Sequence, residues 1–356
     1  MLLFDAHLDL AWNAIDFNRD ITLPIDELRE VDRHITGKGR GAGTVTLPEM
    51  RKGKVAVCIA TLLARLTRPG MVPNVQRYSS MEAAYGAAQG QLLYYRAMEQ
   101  KGWLRSIKNA EELLAHVQLW EENEDNTNVP LGYILSMEGA DPVLSPQQVP
   151  EWFEAGLRII GPTHYGLSTY GHGTGTEGGF FPQGRELLKV MEEVGMILDV
   201  THLSDQCFVE AMDLYHGPVL ASHHNSRKLV PNQRQLTDDQ IEQLVSRGAV
   251  IGVALDNWML HADWVKGETN PEHVKLADVV DHIDNICQVA GNANHAAIGS
   301  DLDGGFGREQ SPGDLNTIAD LQRLPDLLAT RGYSAVDVAS IMYENWVRFF
   351  TNAWKP

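Results

Sequence analysis

Short apolar segments recur along the whole chain, and helical patterns lie between many of them. Each segment has the length and composition of a buried β-strand. The eight segments are Leu2–Ala6, Val55–Leu63, Leu131–Met137, Leu157–Gly161, Met196–Val200, Pro218–Ser222, Ala249–Ala254 and Ala297–Ser300. The helices expected between them are Met81–Gln100, Gln183–Val194, Asp205–Tyr215, Asp238–Ser246 and Leu276–Ala290. This alternation predicts an α/β fold with a parallel sheet.

The alternation favours one (β/α)₈ barrel, of the TIM type, over two separate domains. We find no Pro/Ser-rich linker, so we expect residues 1–356 to form a single domain. An open, doubly wound sheet of eight parallel strands is the alternative. Candidate ligands follow both the first and the last segment, which favours closure, because an open sheet usually holds those two strand ends far apart.

Polar side chains that suit a metal site come at or directly after the strand-like segments. They are His7, Asp9, Glu138, His202, His223 and Asp301. In a parallel barrel the strand ends surround one site. Imidazole and carboxylate groups bind divalent cations, and a single glutamate has two oxygens with which to bridge a pair of ions. The pattern indicates a metal-dependent hydrolase.

Each of these residues has a structural alternative when it is taken alone. An Asp two residues after a His is common, so Asp9 could equally cap a helix rather than bind a metal. The same alternative holds for Glu138. His202 and His223 share one format, strand then hydroxyl residue then histidine, which weakens the alternative of two unrelated buried histidines. His224 adjoins His223, and adjacent strand residues point to opposite sides. We choose His223 because it keeps that format.

Three further residues are candidates for catalysis and substrate binding. Asp301 has the chemistry to take a proton from water and deliver it to a leaving amine, although an Asx turn is the alternative. His164, after the fourth segment, has a donor for a developing oxyanion. Arg234, in the loop after His223, has a guanidinium group that could hold a substrate carboxylate through two hydrogen bonds. A buried histidine and a surface arginine are the alternatives for the last two.

Charge and composition narrow the class of protein. The net charge of −18 argues against a nucleic-acid partner. No run reaches the roughly 18 apolar residues of a membrane helix, and Leu2–Ala6 is shorter than the apolar region of a signal peptide. We therefore expect a cytoplasmic protein without a membrane partner. The polar stretch Glu121–Asn128 is expected to be a surface turn.

Taken together, the segments resemble the membrane dipeptidase family (renal dipeptidase-like, peptidase family M19, amidohydrolase-like). The motifs that carry the resemblance are Asp-Ala-His7-Leu-Asp9, Met-Glu138-Gly, Asp-Val-Thr-His202-Leu-Ser, Ala-Ser-His223, Asn-Gln-Arg234-Gln-Leu and Gly-Ser-Asp301-Leu-Asp-Gly. They occur in order and span nearly the whole chain, so the resemblance is specific.

The resemblance implies a distorted (β/α)₈ barrel that holds two zinc ions, with other divalent metals acceptable. The implied ligands are His7 and Asp9 for one ion, His202 and His223 for the other, and Glu138 as the bridge. A hydroxide between the ions would attack the peptide carbonyl. Asp301 would act as acid and base, His164 would polarise the carbonyl, and Arg234 would bind the C-terminal carboxylate.

The resemblance also implies an activity. We expect a zinc-dependent dipeptidase that tolerates a D-residue at the C-terminal position and forms a homodimer. One alternative is a dizinc amidohydrolase that acts on another small amide, such as an N-acyl amino acid or a β-lactam; a non-catalytic barrel is less favoured, since every implied ligand is present. The sequence does not assign a role to His224 or to the loop Tyr165–Gly179, which is rich in Gly, Thr and Tyr, so the identity of the substrate stays open.

Overall fold

The chain folds around a parallel β-barrel. The computed structural model describes residues 1–67, 77–123 and 128–355, so half of the turn expected at Glu121–Asn128, residues 124–127, lies outside the described residues. The barrel strands are β1 (Leu3–Leu8), β2 (Val55–Leu62), β3 (Leu131–Glu138), β4 (Leu157–Gly161), β5 (Ile197–Asp199), β6 (Val219–Leu220), β7 (Ile251–Val253) and β8 (Ala296–Ile298). Every ladder between neighbours is parallel, in the order β7-β8-β1-β2-β3-β4-β5-β6.

The two outermost strands of that order meet and close the sheet. Ala221, just after β6, pairs in parallel with Ile251 of β7. The Ala221 amide donates to the Val250 carbonyl at 3.1 Å, and the Gly252 amide donates to the Ala221 carbonyl at 2.8 Å. The predicted barrel is therefore confirmed, and the open-sheet alternative is wrong.

The barrel is irregular, because its strands differ in length. β2 and β3 each have eight residues, whereas β6 has two. The apolar runs at 196–200, 218–222 and 249–254 predicted longer strands than the structure has. Burial continues past the last ladder hydrogen bond, so an apolar run overestimates the length of its strand. Short strands that the sequence did not predict are Leu104–Ser106, which pairs with the start of β3, and Arg65–Leu66, which pairs with Arg77–Tyr78.

Helices surround the strands and cover the outer face of the barrel. The α-helices are Leu10–Ile15, Ile25–Asp32, Leu47–Lys52, Met81–Gln100, Ala110–Glu122, Val149–Glu154, Pro182–Glu193, Asp205–Leu214, Asp238–Ser246, Asn257–Leu260, Leu276–Ala290, Leu324–Arg331, Ala335–Ala339 and Asn345–Ala353. Short 3₁₀ turns span Pro146–Gln148, Pro271–His273, Arg308–Gln310 and Ile318–Arg323, and a π-helical turn spans Ser340–Glu344. The five helices expected from the sequence are confirmed, with small shifts at their ends.

Side-chain caps explain where two of these helices begin. The Ser204 hydroxyl accepts from the Cys207 amide at 3.1 Å, and the Thr237 hydroxyl accepts from the Gln240 amide at 3.2 Å. The Gln240 side chain accepts in return from the Thr237 amide, which completes a capping box. No helix in the described part of the chain is both long enough and apolar enough to cross a membrane.

The C-terminal helix seals the barrel against β1 and β8. The Trp346 side chain is fully buried, and its indole Nε1 donates to the Ile298 carbonyl at 3.1 Å. The Phe4 ring stacks on Phe350 with centroids 5.6 Å apart and also contacts Trp346. The end of the sequence is thus packed against its beginning. That the whole chain is one domain stays a prediction.

Two glycines allow the close approach that closes the barrel. A Cβ on Gly252 would lie 2.0 Å from the Ser222 carbonyl oxygen, and a Cβ on Gly299 would lie 1.8 Å from the same atom. Backbone atoms cannot move aside as a flexible side chain can, so any larger residue would displace Ser222. The position of Ser222, and of His223 after it, depends on these two glycines.

This packing predicts opposite effects for the same substitution at two glycines. Gly299→Ala should lower the free energy of unfolding by about 1–3 kcal/mol, because the new methyl overlaps backbone. Gly86 lies in the helix Met81–Gln100, and its Cβ would meet nothing within 4 Å. Gly86→Ala should therefore raise stability by about 0.5–1 kcal/mol. Urea denaturation measures both, and equal effects would contradict this account of barrel closure.

Candidate metal centre

One carboxylate oxygen is the centre of the site. Glu138 is the last residue of β3, and its Oε1 lies 3.6 Å from His7 Nε2, 3.2 Å from His202 Nε2 and 3.4 Å from His223 Nε2. His164 Nε2 is also 3.6 Å away. All five side chains are buried. Residues from five different strands or strand ends therefore converge on one point.

Two further carboxylates lie beside the same nitrogen of His7. His7 Nε2 is 3.8 Å from Asp9 Oδ1 and 3.9 Å from Asp301 Oδ1. The Thr61 hydroxyl of β2 donates to Asp9 Oδ1, which orients that carboxylate. His7 Nε2 itself has no hydrogen-bond partner among the residues described. Three sets of potential ligand atoms, each within 4.8 Å of one another, result: His7/Glu138/His223, Glu138/His164/His202 and His7/Asp9/Asp301.

The electrostatics of these groups suit bound cations. Burial, followed by repulsion from the Arg234 guanidinium, lowers the pKa of His7 to about 3, and burial lowers the pKa of His202 and His223 well below the usual value. Burial raises the pKa of Glu138 and Asp9, each of which also repels a neighbouring carboxylate. Neutral imidazoles present a lone pair to a metal, and a divalent ion would offset the crowding of carboxylates. The donor set therefore fits metal ions.

Two imidazoles are held so that Nε2 faces the centre. His202 Nδ1 lies 2.9 Å from the Thr174 hydroxyl, and His223 Nδ1 lies 2.9 Å from the Ser222 hydroxyl. A hydroxyl oxygen can accept the Nδ1 proton, which leaves the Nε2 lone pair available for a metal. The two Nε2 atoms are 3.2 Å apart, beside Glu138. Both histidines are therefore oriented as metal ligands usually are.

His164 has the opposite tautomer. Its Nδ1 lies 2.8 Å from Nη1 of Arg65, and a guanidinium has protons to donate but no lone pair to accept one. The His164 proton must then sit on Nε2, the atom that faces Glu138. An Nε2–H group cannot coordinate a metal, so the geometry makes His164 a hydrogen-bond donor at the site.

Backbone strain is concentrated at two of these residues. His202 has φ 66° and Asp301 has φ 56°, in the left-handed region that residues with a Cβ seldom adopt. Each such residue costs on the order of 1–3 kcal/mol, which the surrounding structure must offset. The strain directs each side chain into the centre from a strand end.

Two buried aspartates that the sequence analysis missed hold the backbone of the ligands. Asp5 Oδ1 accepts from the His7 amide at 3.2 Å and from the Ser300 amide at 2.7 Å. Asp199 Oδ1 accepts from the Thr201 amide at 2.9 Å and from the Ser222 amide at 3.1 Å. Each therefore links neighbouring strand ends of the barrel. The available signal was an acidic residue inside an apolar run, two or three positions before a histidine.

Arg234 is buried beside the centre, so the surface-arginine alternative is wrong. Its side chain is 1% exposed, and Nη2 donates to the His223 carbonyl at 2.9 Å. Nε and Nη1 are buried without a partner in the described part of the chain. The neighbouring His224 belongs to none of the three ligand sets, and its backbone amide donates to the Gly252 carbonyl at 2.7 Å.

A cavity of about 550 Å³ opens onto the centre. Its wall includes Glu138, His164, His202 and Asp301, together with Tyr165 from the loop Tyr165–Gly179. The Tyr165 ring packs edge-on against His164, with centroids 4.9 Å apart. The same loop supplies Thr174 to His202. The sequence analysis left the role of this loop open, and its contact with His202 is visible only in the tertiary structure.

Comparison with known proteins supports the same interpretation. An uncharacterized protein encoded in the pqqA 5′ region of Klebsiella pneumoniae is 31% identical over 212 residues, covering 57% of this chain and 75% of that protein. Dipeptidase tcpJ of Claviceps purpurea is 30% identical over 190 residues, but the match covers 52% of this chain and only 38% of that enzyme.

A solved structure has the same fold over nearly the whole chain. It is a metallopeptidase from Rhodobacter sphaeroides bound to a phosphinate mimic of the dipeptide L-Ala-D-Ala, with a TM-score of 0.79, 23% identity and 99% of each chain covered. The family model of the membrane dipeptidases matches residues 1–355. The chain therefore belongs to the membrane dipeptidase family, peptidase family M19.

Proposed function

We propose that this protein is a metal-dependent dipeptidase that hydrolyses small dipeptides. The observation that carries the proposal is the position of Glu138 Oε1, within 3.6 Å of the Nε2 atoms of His7, His202 and His223 at the carboxyl ends of the barrel strands. In this fold that end of the barrel is where active sites form. Membership of a dipeptidase family supports peptide bonds as the target.

We propose two divalent ions, zinc foremost, as the cofactor. His7 and Asp9 would hold one ion, His202 and His223 the other, and Glu138 would bridge them. Two ions held in this way would polarise the peptide carbonyl and lower the pKa of a bound water. Other divalent metals suit the same nitrogen and oxygen donors, so availability would decide which is loaded.

His164 and Asp301 are the proposed catalytic residues. The Arg65 contact leaves the His164 proton on Nε2, so this histidine would donate to the carbonyl oxygen as negative charge develops there. Asp301 Oδ1 lies 3.9 Å from His7 Nε2, and its carboxylate would take the proton from the attacking water. It would then deliver that proton to the leaving amine.

Arg234 is proposed to bind the α-carboxylate of the substrate. Nε and Nη1 of its guanidinium are buried and have no acceptor among the residues that the structure describes. They are suited to a carboxylate ligand, since a buried donor without an acceptor is costly. If Arg234 binds only the α-carboxylate, this contact selects weakly between the L and D configurations at the Cα of the C-terminal residue. We therefore propose that a C-terminal D-residue is tolerated. A homodimer stays a prediction.

Metal content and activity, measured on one preparation, test the proposal. We expect about two divalent ions per chain, with hydrolysis of Gly-D-Ala and of an L,L-dipeptide lost on chelation and restored by zinc. His202→Ala should lower both metal content and activity, whereas His216→Ala, at an exposed histidine, should change neither. Two ions with cleavage of N-acyl amino acids or β-lactams but not dipeptides would move the substrate to other small amides. Failure to bind metal would contradict the proposed centre.

If Arg234 binds the substrate carboxylate, its loss should weaken dipeptide binding without changing the metal content. Arg234→Ala should raise KM for dipeptides by about 30-fold or more, because a buried charge pair is lost, while metal content stays near that of the unaltered protein. C-terminally amidated dipeptides test the same contact without a substitution and should be poor substrates. Equal kcat/KM for the free acid and the amide would remove Arg234 from this role.

A further inference from the structure

The loop that carries Arg234 starts and ends at one backbone pairing. Ser226 pairs in parallel with Leu236. The Leu236 amide donates to the Asn225 carbonyl at 3.0 Å, and the Arg227 amide donates to the Leu236 carbonyl at 2.8 Å. Arg234 lies just before Leu236 in the chain, so its backbone adjoins the fixed base of this loop.

Two buried amide side chains, those of Asn225 and Gln235, reinforce the base of the loop. The Asn225 backbone amide donates to Gln235 Oε1 at 3.2 Å. Gln235 Nε2 donates to the Met259 carbonyl at 2.8 Å, and Asn225 Nδ2 donates to the same oxygen at 3.2 Å. Both side chains are 1% exposed. The residue directly after Arg234 is therefore held by its own side chain as well as by its backbone.

Asn225 extends this network to the end of β7. Its Nδ2 donates to the Ala254 carbonyl at 3.0 Å, and its Oδ1 accepts from the Ala254 amide at 2.7 Å. The segment that follows Ala254 supplies Asp256, Trp258 and Met259 to the wall of the cavity above the metal centre. The two amides thus join the Arg234 loop to that wall.

A buried polar network whose members all have partners is rigid, because each hydrogen bond has a preferred direction. Apolar side chains of the same size would fill the volume without fixing the direction of the backbone. Arg234 needs such support, since binding a carboxylate through two hydrogen bonds depends on its orientation. A displacement of about 1 Å in a substrate contact can cost about 100-fold in rate.

We propose that Asn225 and Gln235 are positioning residues that set where Arg234 meets the α-carboxylate of the substrate, and that the preference for a free C-terminal carboxylate depends on them. This inference rests on the proposed dipeptidase function and on the role of Arg234 in it. Neither Asn225 nor Gln235 is among the described residues that line the cavity, so both would act through Arg234.

The ratio of kcat/KM for a dipeptide to kcat/KM for its C-terminal amide tests the inference on the full, metal-loaded chain. Gln235→Met and Asn225→Leu remove the hydrogen bonds and keep most of the volume. Each should lower the ratio by about tenfold, mainly through a higher KM for the free acid, with metal content unchanged. Both rates come from one sample, so the ratio does not depend on the fraction that folds. Gln235→Asn, one methylene shorter, should lower it less.

A matched control separates positioning from stability. Asn345 is also fully buried, and its Nδ2 donates to the carbonyls of Ala293 and Ala296 at 2.7 and 2.8 Å. Ala296 is the first residue of β8, so this amide lies at the end of the barrel away from the metal centre. Asn345→Leu should lower the thermal midpoint about as much as Asn225→Leu does, and it should leave the ratio unchanged.

A double variant tests whether the effect passes through Arg234. Residues that act through one contact are not additive. In the Arg234→Ala background, Gln235→Met should therefore cause no further fall in the ratio. A further fall would overturn the inference, and so would an equal fall in Asn345→Leu.

The remaining outcomes separate the inference from the proposals beneath it. Unchanged ratios in Gln235→Met and Asn225→Leu would overturn the inference and leave the dipeptidase function and the role of Arg234 standing. An unaltered enzyme that cleaves dipeptides and their amides equally well would remove Arg234 from its role, and this inference with it. Cleavage of no dipeptide would overturn the proposed function itself.

Discussion

The whole site depends on the burial of carboxylates and imidazoles that have too few protein partners. Glu138 Oε1 is surrounded by histidine Nε2 atoms, and carboxylate oxygens of Asp9 and Asp301 lie 3.8 and 3.9 Å from His7 Nε2. Burying charged groups without a counter-charge is costly in a medium of low dielectric constant. Bound cations would offset this cost, and folding stability and metal binding would then be coupled at the same residues.

The scaffold around the centre keeps these groups from relaxing apart. Asp5 and Asp199 tie neighbouring strand ends together, Gly252 and Gly299 admit the Ser222 carbonyl, and the Arg65 contact sets the His164 tautomer. Without such support, His202 and Asp301 would leave the left-handed region for a backbone conformation of lower energy.

Much of the fold was predictable because the physics is local. A run of four to eight apolar residues makes a buried strand wherever it lies, and the eight runs became the eight barrel strands. Strand ends were predicted less well: β6 keeps two residues of the run Pro218–Ser222, because the ladder partners, not the apolar content, decide where hydrogen bonding stops. The strand pair at Arg65 and Arg77 has no apolar signature, and sequence analysis missed it.

By itself the sequence determined the parallel α/β alternation and the residue types at the strand ends, because both follow from patterns a few residues long. It also contained the motifs of the family. The sequence favoured the closed barrel and His223 over His224, and the structure shows the closure and places His223 Nε2 beside Glu138. The tertiary structure alone decided that Arg234 is buried. It also placed Arg65 against His164 and Thr174 against His202. These contacts join residues far apart in the chain, so no local pattern encodes them; they exist only once the strands have come together.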